Sequence, residues 1–177
     1  AEERHILARE LHDSLGGVLS LLRLKIGGNA SKDETLRLLD TTHTELRRIS
    51  HHLMPEELLR GGLVSALRDF ARSVPGAAFQ TYGDIRLSKE RELTLYRCAY
   101  ELVNNAMKYA EATHIDIQLM QTVHEVTLTV SDNGKGMGDG NGMGLQNIRE
   151  RIEPYHGTLR TVSGENEGTE INLTLPI

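Results

Sequence analysis

Two narrow apolar stripes near the N-terminus limit the fold more than any other feature. Leucine, valine and isoleucine recur at three- and four-residue steps over residues 7–26, a spacing typical of one face of an α-helix. The segment GGN at 27–29 stops this helix, because glycine and asparagine tolerate the left-handed conformation found after helix ends. Ser31 and Glu34 then form a capping box for a second helix, whose apolar face covers residues 36–53. The pattern predicts a helical hairpin with a short loop.

Two helices with one apolar stripe each cannot form a self-sufficient core. Pairing of the hairpin with a second copy into a four-helix bundle would bury both stripes, so we expect a homodimer. The alternative is a single hairpin packed on the rest of the chain. Pro55 limits the second helix, and we place the end of this antiparallel hairpin near residue 60.

The remaining residues, 61–177, alternate between helical and strand patterns. Helices are predicted over 63–74, 89–110 and 142–156. Strands are predicted in five segments that alternate apolar and polar residues: AAFQTYG, HIDIQLM, EVTLTVSD, GTLRTVS and GTEINLTLPI. The second and third form a hairpin through residues 121–124. The fold class is therefore α+β, an antiparallel-rich sheet with helices on one face.

Composition disfavours several classes of function. With a net charge of −5, the 177-residue chain has no basic field to attract nucleic acid. The single cysteine, Cys98, excludes an internal disulfide and fits a reducing compartment. No apolar run approaches the ~20 residues that span a bilayer, so we expect no membrane contact in this fragment. Because Ala1 already lies inside a helical pattern, we expect a cytoplasmic fragment whose input module, with any membrane anchor of the parent protein, has been removed.

One face of the predicted helix 89–110 carries an acid, an amide and a cation. Glu101, Asn105 and Lys108 stand at positions i, i+4 and i+7, so their side chains project together. Amide and carboxylate oxygens are suitable ligands for Mg²⁺, and a lysine neutralises phosphate charge. For the triplet taken alone, a solvated helix face with one charge pair is the better explanation. Five side chains of this helix are expected to face the core: Leu93, Tyr96, Tyr100, Val103 and Met107.

Two glycine-rich segments follow this helix. Asp132 ends a strand ahead of Gly134 and Gly136, where a carboxylate could accept a hydrogen bond from an exocyclic amine and glycines let a flat ring approach the backbone. A plain hairpin turn explains that segment equally well when it is taken alone. Gly142 and Gly144 precede a helix, whose first N–H groups and dipole attract an anion. The order of these pieces along the chain is stronger evidence for a nucleotide pocket than any one of them.

Upstream, the string ELHDSLGG places His12 beside Asp13 in the first predicted helix. A histidine next to a carboxylate is common and means little by itself. Because a nucleotide pocket is predicted later in the chain, we interpret His12 as the acceptor of a phosphoryl group from ATP.

These motifs resemble a known family. The segments around Asn105, Asp132 and Gly142 are similar to three sequence boxes of the ATP-binding domain shared by histidine kinases, gyrase-type topoisomerases, a heat-shock chaperone and mismatch-repair ATPases. Gly168-Thr169 is similar to the last box. ARELHDSLGG resembles the phosphoacceptor motif of sensor kinases typified by nitrate sensors and a membrane-fluidity thermosensor, and LMPEELLRGGLVSAL resembles the linker of that group.

The resemblance covers essentially the whole chain and implies two domains. Residues 1–60 would be a dimerisation and phosphotransfer hairpin, and residues 61–177 a catalytic ATP-binding domain with a two-layer α/β sandwich. ATP and Mg²⁺ are then the expected cofactors. The expected partner, besides a second copy of the chain, is the receiver domain of a response regulator in two-component signal transduction.

The resemblance also implies a role for each matching residue. His12 is the expected phosphoacceptor, and Asp13 accepts the proton of its other ring nitrogen. Asn105 is expected to bind Mg²⁺, with Glu101 acting through the water shell of the metal. The nucleotide contacts are implied for a larger set: Lys108 on the phosphates, Tyr109 near the nucleotide, Asp132 on the adenine amine, Gly134, Gly136 and Thr169 along the base, and Gly142 and Gly144 in the lid.

The chain departs from the family pattern at three positions. Gly17 stands where related kinases usually have a glutamine that positions a water for dephosphorylating the partner, so weak phosphatase activity is predicted. The pair Gly16-Gly17 also costs about 1–2 kcal/mol of helix stability relative to alanine. Ile6 replaces a frequent arginine and slightly widens the apolar stripe, and Tyr109 replaces a frequent histidine.

Two other functions compete with a protein-histidine kinase. An ATP-responsive dimeric scaffold without phosphotransfer is disfavoured by the intact His12, Asp13, Glu101 and Asn105. A topoisomerase-like or repair-type ATPase is disfavoured by the acidic balance and by the phosphoacceptor helix. Whether the phosphoryl group passes within one protomer or across the dimer is left open by the sequence.

Overall fold

The computed structural model describes residues 36, 56–136, 142–164 and 167–177, with the backbone alone for residues 142 and 143. The chain divides into two compact units, Ala1–Pro55 and Glu56–Ile177. Leu36, an exposed helical residue, is the one described position of the first unit. The predicted hairpin therefore lies outside the described residues, and all helices and strands with described bounds belong to the second unit.

The described residues of the second unit form three helices, one short 3-10 turn and five strands. In chain order the elements are α1 Glu56–Ser73, β1 Ala77–Tyr82, α2 Lys89–Tyr109, β2 Ile115–Gln121, β3 Glu125–Asp132, α3 Gly142–Ile152, the 3-10 turn Glu153–Tyr155, β4 Thr158–Ser163 and β5 Thr169–Pro176. The strand order in the sheet is β1-β2-β3-β5-β4. β1 and β2 pair in parallel, and the other three pairs are antiparallel. The mixed, mostly antiparallel sheet confirms the predicted α+β class and all five predicted strands.

The core lies between one face of the sheet and the three helices. Every second residue of β3 and β5 is buried, as in Leu128 and Leu173, while the residues between them are only partly covered or exposed. Leu67 of α1, Tyr96 of α2 and Ile148 of α3 are fully buried against that face. The helices therefore form one layer and the sheet the other, as the alternation of the strands requires. None of the described helices is long and apolar enough to cross a membrane.

Three details of the predicted helices are wrong, and the third, the start of α1, is described below. Met107 is 44% exposed rather than buried, because the buried stripe at the end of α2 runs through Val103, Ala106 and Ala110 instead. The last predicted helix extends to residue 156, but α3 ends at Ile152 and continues as the 3-10 turn. That turn contains a proline, which has no N–H to extend the α-helical hydrogen-bond ladder.

α1 starts earlier than predicted and is kinked at Gly62, where φ is 74° and ψ is −176°. The second half of the helix begins at Leu63, whose N–H donates to Glu92 Oε1 of α2 over 3.3 Å. Lys89 Nζ donates to the other carboxylate oxygen of Glu92 over 2.8 Å. The buried carboxylate of Glu92 thus caps the second half of α1, which starts at Leu63. This hydrogen bond connects the kink at Gly62 to α2.

Candidate functional site

α2 holds the predicted acid and amide in adjacent turns. Ser88 is the N-cap of this helix, and its hydroxyl accepts the Arg91 N–H over 3.4 Å. The cap fixes where the helix starts and therefore which residues share a face along it. Glu101 and Asn105 lie one turn apart and are both partly buried. Asn105 Nδ2 is buried and has no hydrogen-bond partner among the described residues. A buried amide without a partner costs free energy of about 1–3 kcal/mol, which marks Asn105 as a position for a ligand.

The start of α3 faces these two side chains. A Cβ on Gly144 would stand 2.8 Å from Asn105 Nδ2 and 3.4 Å from Glu101 Oε1. The glycine therefore lets the N-terminal turn of α3 approach the polar face of α2 more closely than any side chain would allow. We call Glu101, Asn105 and Gly144 the helix contact. It joins residues of two predicted motifs that are separated by about 40 positions.

A second group of polar residues lies at one edge of the sheet, where β3 and β4 end and β5 begins. Asp132 of β3 pairs with Thr169 of β5, and Thr169 pairs with Ser163 of β4. Ser163 Oγ lies 3.2 Å from Thr169 Oγ1, and Thr169 is almost completely buried. The three residues continue the alternation that faces the helices, and their burial falls from Thr169, which is buried, through Asp132, which is partly buried, to Ser163, which is exposed. We call Asp132, Thr169 and Ser163 the strand-end row.

The glycines after Asp132 pack tightly on their neighbours. The Gly134 N–H donates to Asp132 Oδ1 over 2.8 Å, which orients the carboxylate from its own loop. A Cβ on Gly134 would stand 2.5 Å from the Cβ of Ala110, at the end of α2. Gly136 has a φ of 87° and passes close to the carbonyl of Gly164. At both positions a side chain would collide with a neighbouring segment, so the need for glycine comes from this close packing and not from the turn alone.

Asn133 fastens this loop to the segment that follows α2. Its Oδ1 accepts the N–H groups of Thr113 over 3.0 Å and His114 over 2.9 Å, and its Nδ2 donates to Thr113 Oγ1 over 3.0 Å. The Lys135 N–H donates to the carbonyl of Ala110 over 2.9 Å. These bonds connect the end of β3, with Asp132, to the helix that carries Asn105.

Lys108 and Tyr109 are exposed in the last turn of α2, and 59% of the surface of Tyr109 is accessible. Neither is in the helix contact or the strand-end row. Lys135, in contrast, forms a 2.7 Å ion pair with Glu111, which holds the pKa of that carboxyl below its usual value. At this surface position the pair adds little to stability.

Cys98 is a fully buried residue of α2, about one turn before Glu101. Burial raises the pKa of its thiol from 9.0 to about 12, opposed by the positive charges of Arg151 and Arg97 and assisted by the carboxylate of Glu101. The thiol is therefore neutral at physiological pH and is no nucleophile. It is a buried packing group within α2.

The remaining predicted site residues lie partly outside the described chain. His12, Asp13 and Gly17 belong to residues 1–35, which are not described, and residues 137–141, which precede α3 in the sequence, are not described either. Gly142 is the first residue of α3. The structure thus brings together Glu101, Asn105 and Gly144, and separately Asp132, Gly134, Gly136 and Thr169.

Ser163 and Asn133 were not predicted as site residues. Ser163 could have been noticed, because the alternation in GTLRTVS places it on the same face as Leu159 and Thr161. The pairing of Ser163 with Thr169 depends on the register of β4 on β5, which the sequence does not contain as a local signal. Asn133 forms its bonds to residues about 20 positions away, and no spacing rule connects them.

The helix contact fits a magnesium nucleotide. It offers one amide and one carboxylate, a small oxygen-bearing set that suits Mg²⁺, which keeps several of its waters. The oxygen and nitrogen of the Asn105 amide exchange places by a half-turn, so either atom could meet a ligand. Among the described residues, no group of three His, Cys, Asp or Glu side chains is arranged to hold a metal. The observation that supports the fit is the unpartnered buried amide opposite a glycine.

Two family models match the chain and together cover most of it. A model described as histidine kinase matches residues 3–58. A model described as histidine kinase-, DNA gyrase B- and HSP90-like ATPase matches residues 90–177, which include the helix contact and the strand-end row. The chain belongs to the histidine kinase family. The predicted resemblance is thereby confirmed, and the ATPase model supports ATP as the nucleotide of this unit.

Related proteins extend across nearly the whole chain. The sensor histidine kinase MctS of Rhizobium johnstonii is 32% identical over 99% of the chain and 43% of its own length. The signal transduction histidine-protein kinase/phosphatase UhpB of Salmonella typhimurium is 29% identical over 98% and 38%. The sensor protein VraS of Staphylococcus saprophyticus is 26% identical over 99% and 56%. The chain therefore spans about half the length of the relatives it matches, or less.

Solved structures support the fold. The histidine kinase domain of the Erythrobacter litoralis EL346 blue-light activated histidine kinase has a TM-score of 0.56 and 17% identity, covering 99% of this chain and 94% of that one. The longer EL346 chain has a TM-score of 0.51 and 17% identity, covering 96% and 59%. At this identity the likeness concerns the fold alone.

Proposed function

We propose that this chain is the catalytic part of an ATP-dependent protein-histidine kinase in two-component signalling. The single observation that carries the proposal is the helix contact, in which the buried Nδ2 atom of Asn105 has no partner among the described residues and faces Gly144 beside Glu101. This arrangement supports a nucleotide-phosphate site in the unit that matches the ATPase model. The His12–Asp13 pair in the segment that matches the histidine kinase model supplies the acceptor.

The proposed reaction transfers the γ-phosphoryl group of ATP to His12. One ring nitrogen attacks the γ-phosphorus, the bond from that phosphorus to the bridging oxygen breaks, and ADP leaves with the electron pair of that bond. Asp13 accepts the proton of the other ring nitrogen, which raises the nucleophilicity of the attacking one. The phosphoryl group then passes from His12 to a carboxylate oxygen of an aspartate on a response regulator.

The residues of the helix contact would hold the phosphate end of the nucleotide. Asn105 would bind Mg²⁺ directly and Glu101 would act through its water shell. When bound, the metal would neutralise charge on the phosphates. Gly142 and Gly144 would let the start of α3 approach the phosphates, and Lys108 would turn inward to contact them.

The strand-end row would hold the other end of the nucleotide. Asp132 would accept a hydrogen bond from the adenine amine through the carboxylate oxygen that Gly134 does not use. Gly136 and Thr169 would line the base, and Tyr109 would lie beside the nucleotide. Positioning of the nucleotide between the strand-end row and the helix contact would supply most of the expected rate enhancement.

The same proposal assigns the two parts of the chain and their partners. Residues 1–60 would form the dimerisation and phosphotransfer hairpin, and residues 61–177 the catalytic domain. The kink at Gly62 lies close to this division. The partners would be a second copy of the chain and the receiver domain of a response regulator, with ATP supplied in the cytoplasm. No partner that is a nucleic acid or a membrane is proposed for this fragment.

Phosphatase activity is the part of two-component chemistry that we expect to be weak. Gly17 offers no amide to position a water, although the relative UhpB carries phosphatase in its name. Rapid dephosphorylation of a phosphorylated response regulator by this chain would show the expectation to be wrong.

The proposed kinase is tested by incubating the chain with γ-labelled ATP and magnesium. We expect label on the protein that is lost in acid and kept in base, as a phosphoramidate requires. A His12→Gln chain should bind ATP and remain unlabelled. Binding of ATP without label under any condition would instead support the ATP-responsive scaffold, and equal labelling of parent and His12→Gln chains would exclude His12 as the acceptor.

A further inference from the structure

Glu92 is a buried carboxylate that the proposed reaction does not use. It lies in the first turn of α2 and is 8% exposed. A charged side chain is costly to bury unless it is paired and hydrogen-bonded. Glu92 meets both conditions, because its Oε1 accepts the Leu63 N–H over 3.3 Å and its Oε2 is paired with Lys89 over 2.8 Å. One oxygen of a buried acid is thus committed to α1.

The part of α1 that Glu92 holds is the kink. Gly62 has a φ of 74° and a ψ of −176°, a conformation that is essentially restricted to glycine. A Cβ on Gly62 would stand 3.1 Å from Glu92 Oε1. Across the kink, the hydroxyl of Ser65 donates to Glu57 Oε1 over 2.6 Å. The two halves of the helix are therefore held at their angle by one bond from α2 and by one bond between them.

The two halves of α1 differ in how they are attached to the core. After the kink, Leu63, Leu67 and Phe70 are buried in the hydrophobic core of the second unit. Before it, Leu58 is the one buried residue of 56–61. The second half is therefore fixed by packing, whereas the orientation of the first half depends on Leu58 and on the bonds at the kink.

The kink lies on the covalent path between the proposed phosphoacceptor and the proposed nucleotide site. His12 precedes residue 56, and Glu101 and Asn105 follow residue 63. The angle at the kink sets the direction in which the chain enters the core that holds the nucleotide. In-line transfer needs the reacting atoms about 3–3.5 Å apart, and a misplacement of about 1 Å can cost about 10²-fold in rate. Binding of ATP between α2 and α3 has no such requirement.

We propose that Glu92 is a positioning residue for phosphoryl transfer, which holds the kink in α1 at the angle that lets bound ATP react with His12. The proposal rests on the proposed function, because it assumes that His12 accepts the phosphoryl group. Glu92 acts through Leu63 and the kink and not through the nucleotide. Loss of its carboxylate should therefore slow transfer and leave ATP binding unchanged.

The experiment separates transfer from binding in the whole chain. Titration calorimetry gives the affinity for ATP, and labelling by γ-labelled ATP with magnesium gives the transfer rate at saturating nucleotide. Glu92→Ala should keep the affinity within about twofold and slow labelling by roughly tenfold. Glu92→Gln keeps an oxygen for the Leu63 N–H and should retain most of the parent rate. Glu90→Ala removes an exposed carboxylate two residues away and is the matched control, with parent affinity and rate.

A second variant tests the kink without a change at Glu92. Ser65→Ala removes the bond to Glu57, and alanine has the higher helix propensity, so the helix itself is not weakened. We expect slower labelling at unchanged ATP affinity, by a smaller factor than for Glu92→Ala. Because both variants release the same kink, the loss in the double variant should be less than the product of the two single losses.

The outcomes distinguish positioning from a structural role and from failure of the kinase proposal. Partial unfolding would lower the number of ATP molecules bound per chain and leave the rate on the chains that bind unchanged. That result for Glu92→Ala, or labelling at the parent rate, would show the inference to be wrong while the kinase proposal stands. Should Glu92→Ala fail to fold, labelling of Ser65→Ala at the parent rate would overturn the inference. A parent chain that binds ATP and is never labelled would contradict the proposed function itself.

Discussion

The strand-end row and the helix contact satisfy their polar groups in opposite ways. In the row, Asp132 receives the Gly134 N–H, and the hydroxyls of Ser163 and Thr169 bond to each other. In the helix contact, the buried nitrogen of Asn105 has no partner among the described residues. The base end of the proposed pocket is therefore preformed by the sheet, whereas the phosphate end holds a group that needs a ligand.

The strand-end row and the helix contact differ because different elements position their side chains. The row is set by the ladders between β3, β5 and β4, where the register of each strand is fixed by the buried residues along it. The helix contact depends instead on the packing of α2 against the first turn of α3, at Gly144. Substitutions should therefore affect stability in the row and catalysis in the helix contact.

The largest effect is expected from a charge placed in the helix contact. Asn105→Asp adds a carboxylate beside Glu101, in the place where phosphates would lie, and removes the amide. We expect autophosphorylation to fall by at least about 10²-fold, while the midpoint of thermal unfolding changes little. Asn104→Asp adds the same charge one residue away and is the matched control. Comparable losses in the two variants would argue against a specific role of Asn105.

Gly168→Ala tests the row. Gly168 has a φ of 79°, and a Cβ there would collide with the carbonyl oxygen of Asp132. We expect the free energy of unfolding to fall by about 2–3 kcal/mol and nucleotide binding to weaken with it, as measured by urea denaturation. Gly164→Ala is the matched control in the same loop, because the atoms nearest to its Cβ belong to the exposed side chain of Glu167. Equal destabilisation by both variants would remove the argument for a rigid row.

A smaller effect is expected where the helix contact is crowded rather than charged. The methyl group of Gly144→Ala would meet Asn105 Nδ2 at 2.8 Å, so the amide or α3 must shift by a few tenths of an ångström. A shift of about 1 Å costs up to about 10²-fold in rate, so we expect a loss of roughly tenfold in autophosphorylation. Asn147→Ala, on the exposed side of α3, should keep the parent rate. Full activity of Gly144→Ala would show that the contact between the helices is not needed for transfer.

The last prediction concerns no change in activity and involves Cys98 of α2, the single cysteine of the chain. Burial raises its pKa to about 12, so the folded chain keeps the proton that the unfolded chain loses above pH 9. The stability from this group is therefore present below pH 9 and is lost as the pH rises towards 12. At pH 8 we expect a thiol reagent to label the folded chain at least about 10²-fold more slowly than the unfolded chain. Rapid labelling of the folded chain would show that α2 is open on this side.

The sequence predicted the strands and the helix contact for different reasons. Period-two alternation in segments such as EVTLTVSD is strong, because one face of each strand is buried, and it located all five strands. The spacing of Glu101 and Asn105 put both on one helix face, which is a local property of a helix. That Gly144 would lie against them could be inferred only from the family resemblance, since packing between helices is not written in either segment.

The errors have physical causes of the same kind. Met107 follows the apolar spacing of α2, but the small residues Ala106 and Ala110 form the buried stripe, because the helix end packs closely on Gly134. Ser163 has no unusual neighbours in sequence, and its importance comes from a bond to Thr169 that depends on strand register. The predicted hairpin with His12 and Asp13 lies outside the described residues and stays a prediction.

The most direct test of the kinase proposal is to locate the phosphoryl group after reaction with ATP and magnesium. Peptides prepared without exposure to acid should be mapped by tandem mass spectrometry, with the Asn105→Asp chain as the negative control. We predict a single phosphorylated position, His12, in the parent and none in the control. A phosphoryl group on any other residue, or a chain that binds ATP and carries none, would contradict the proposal.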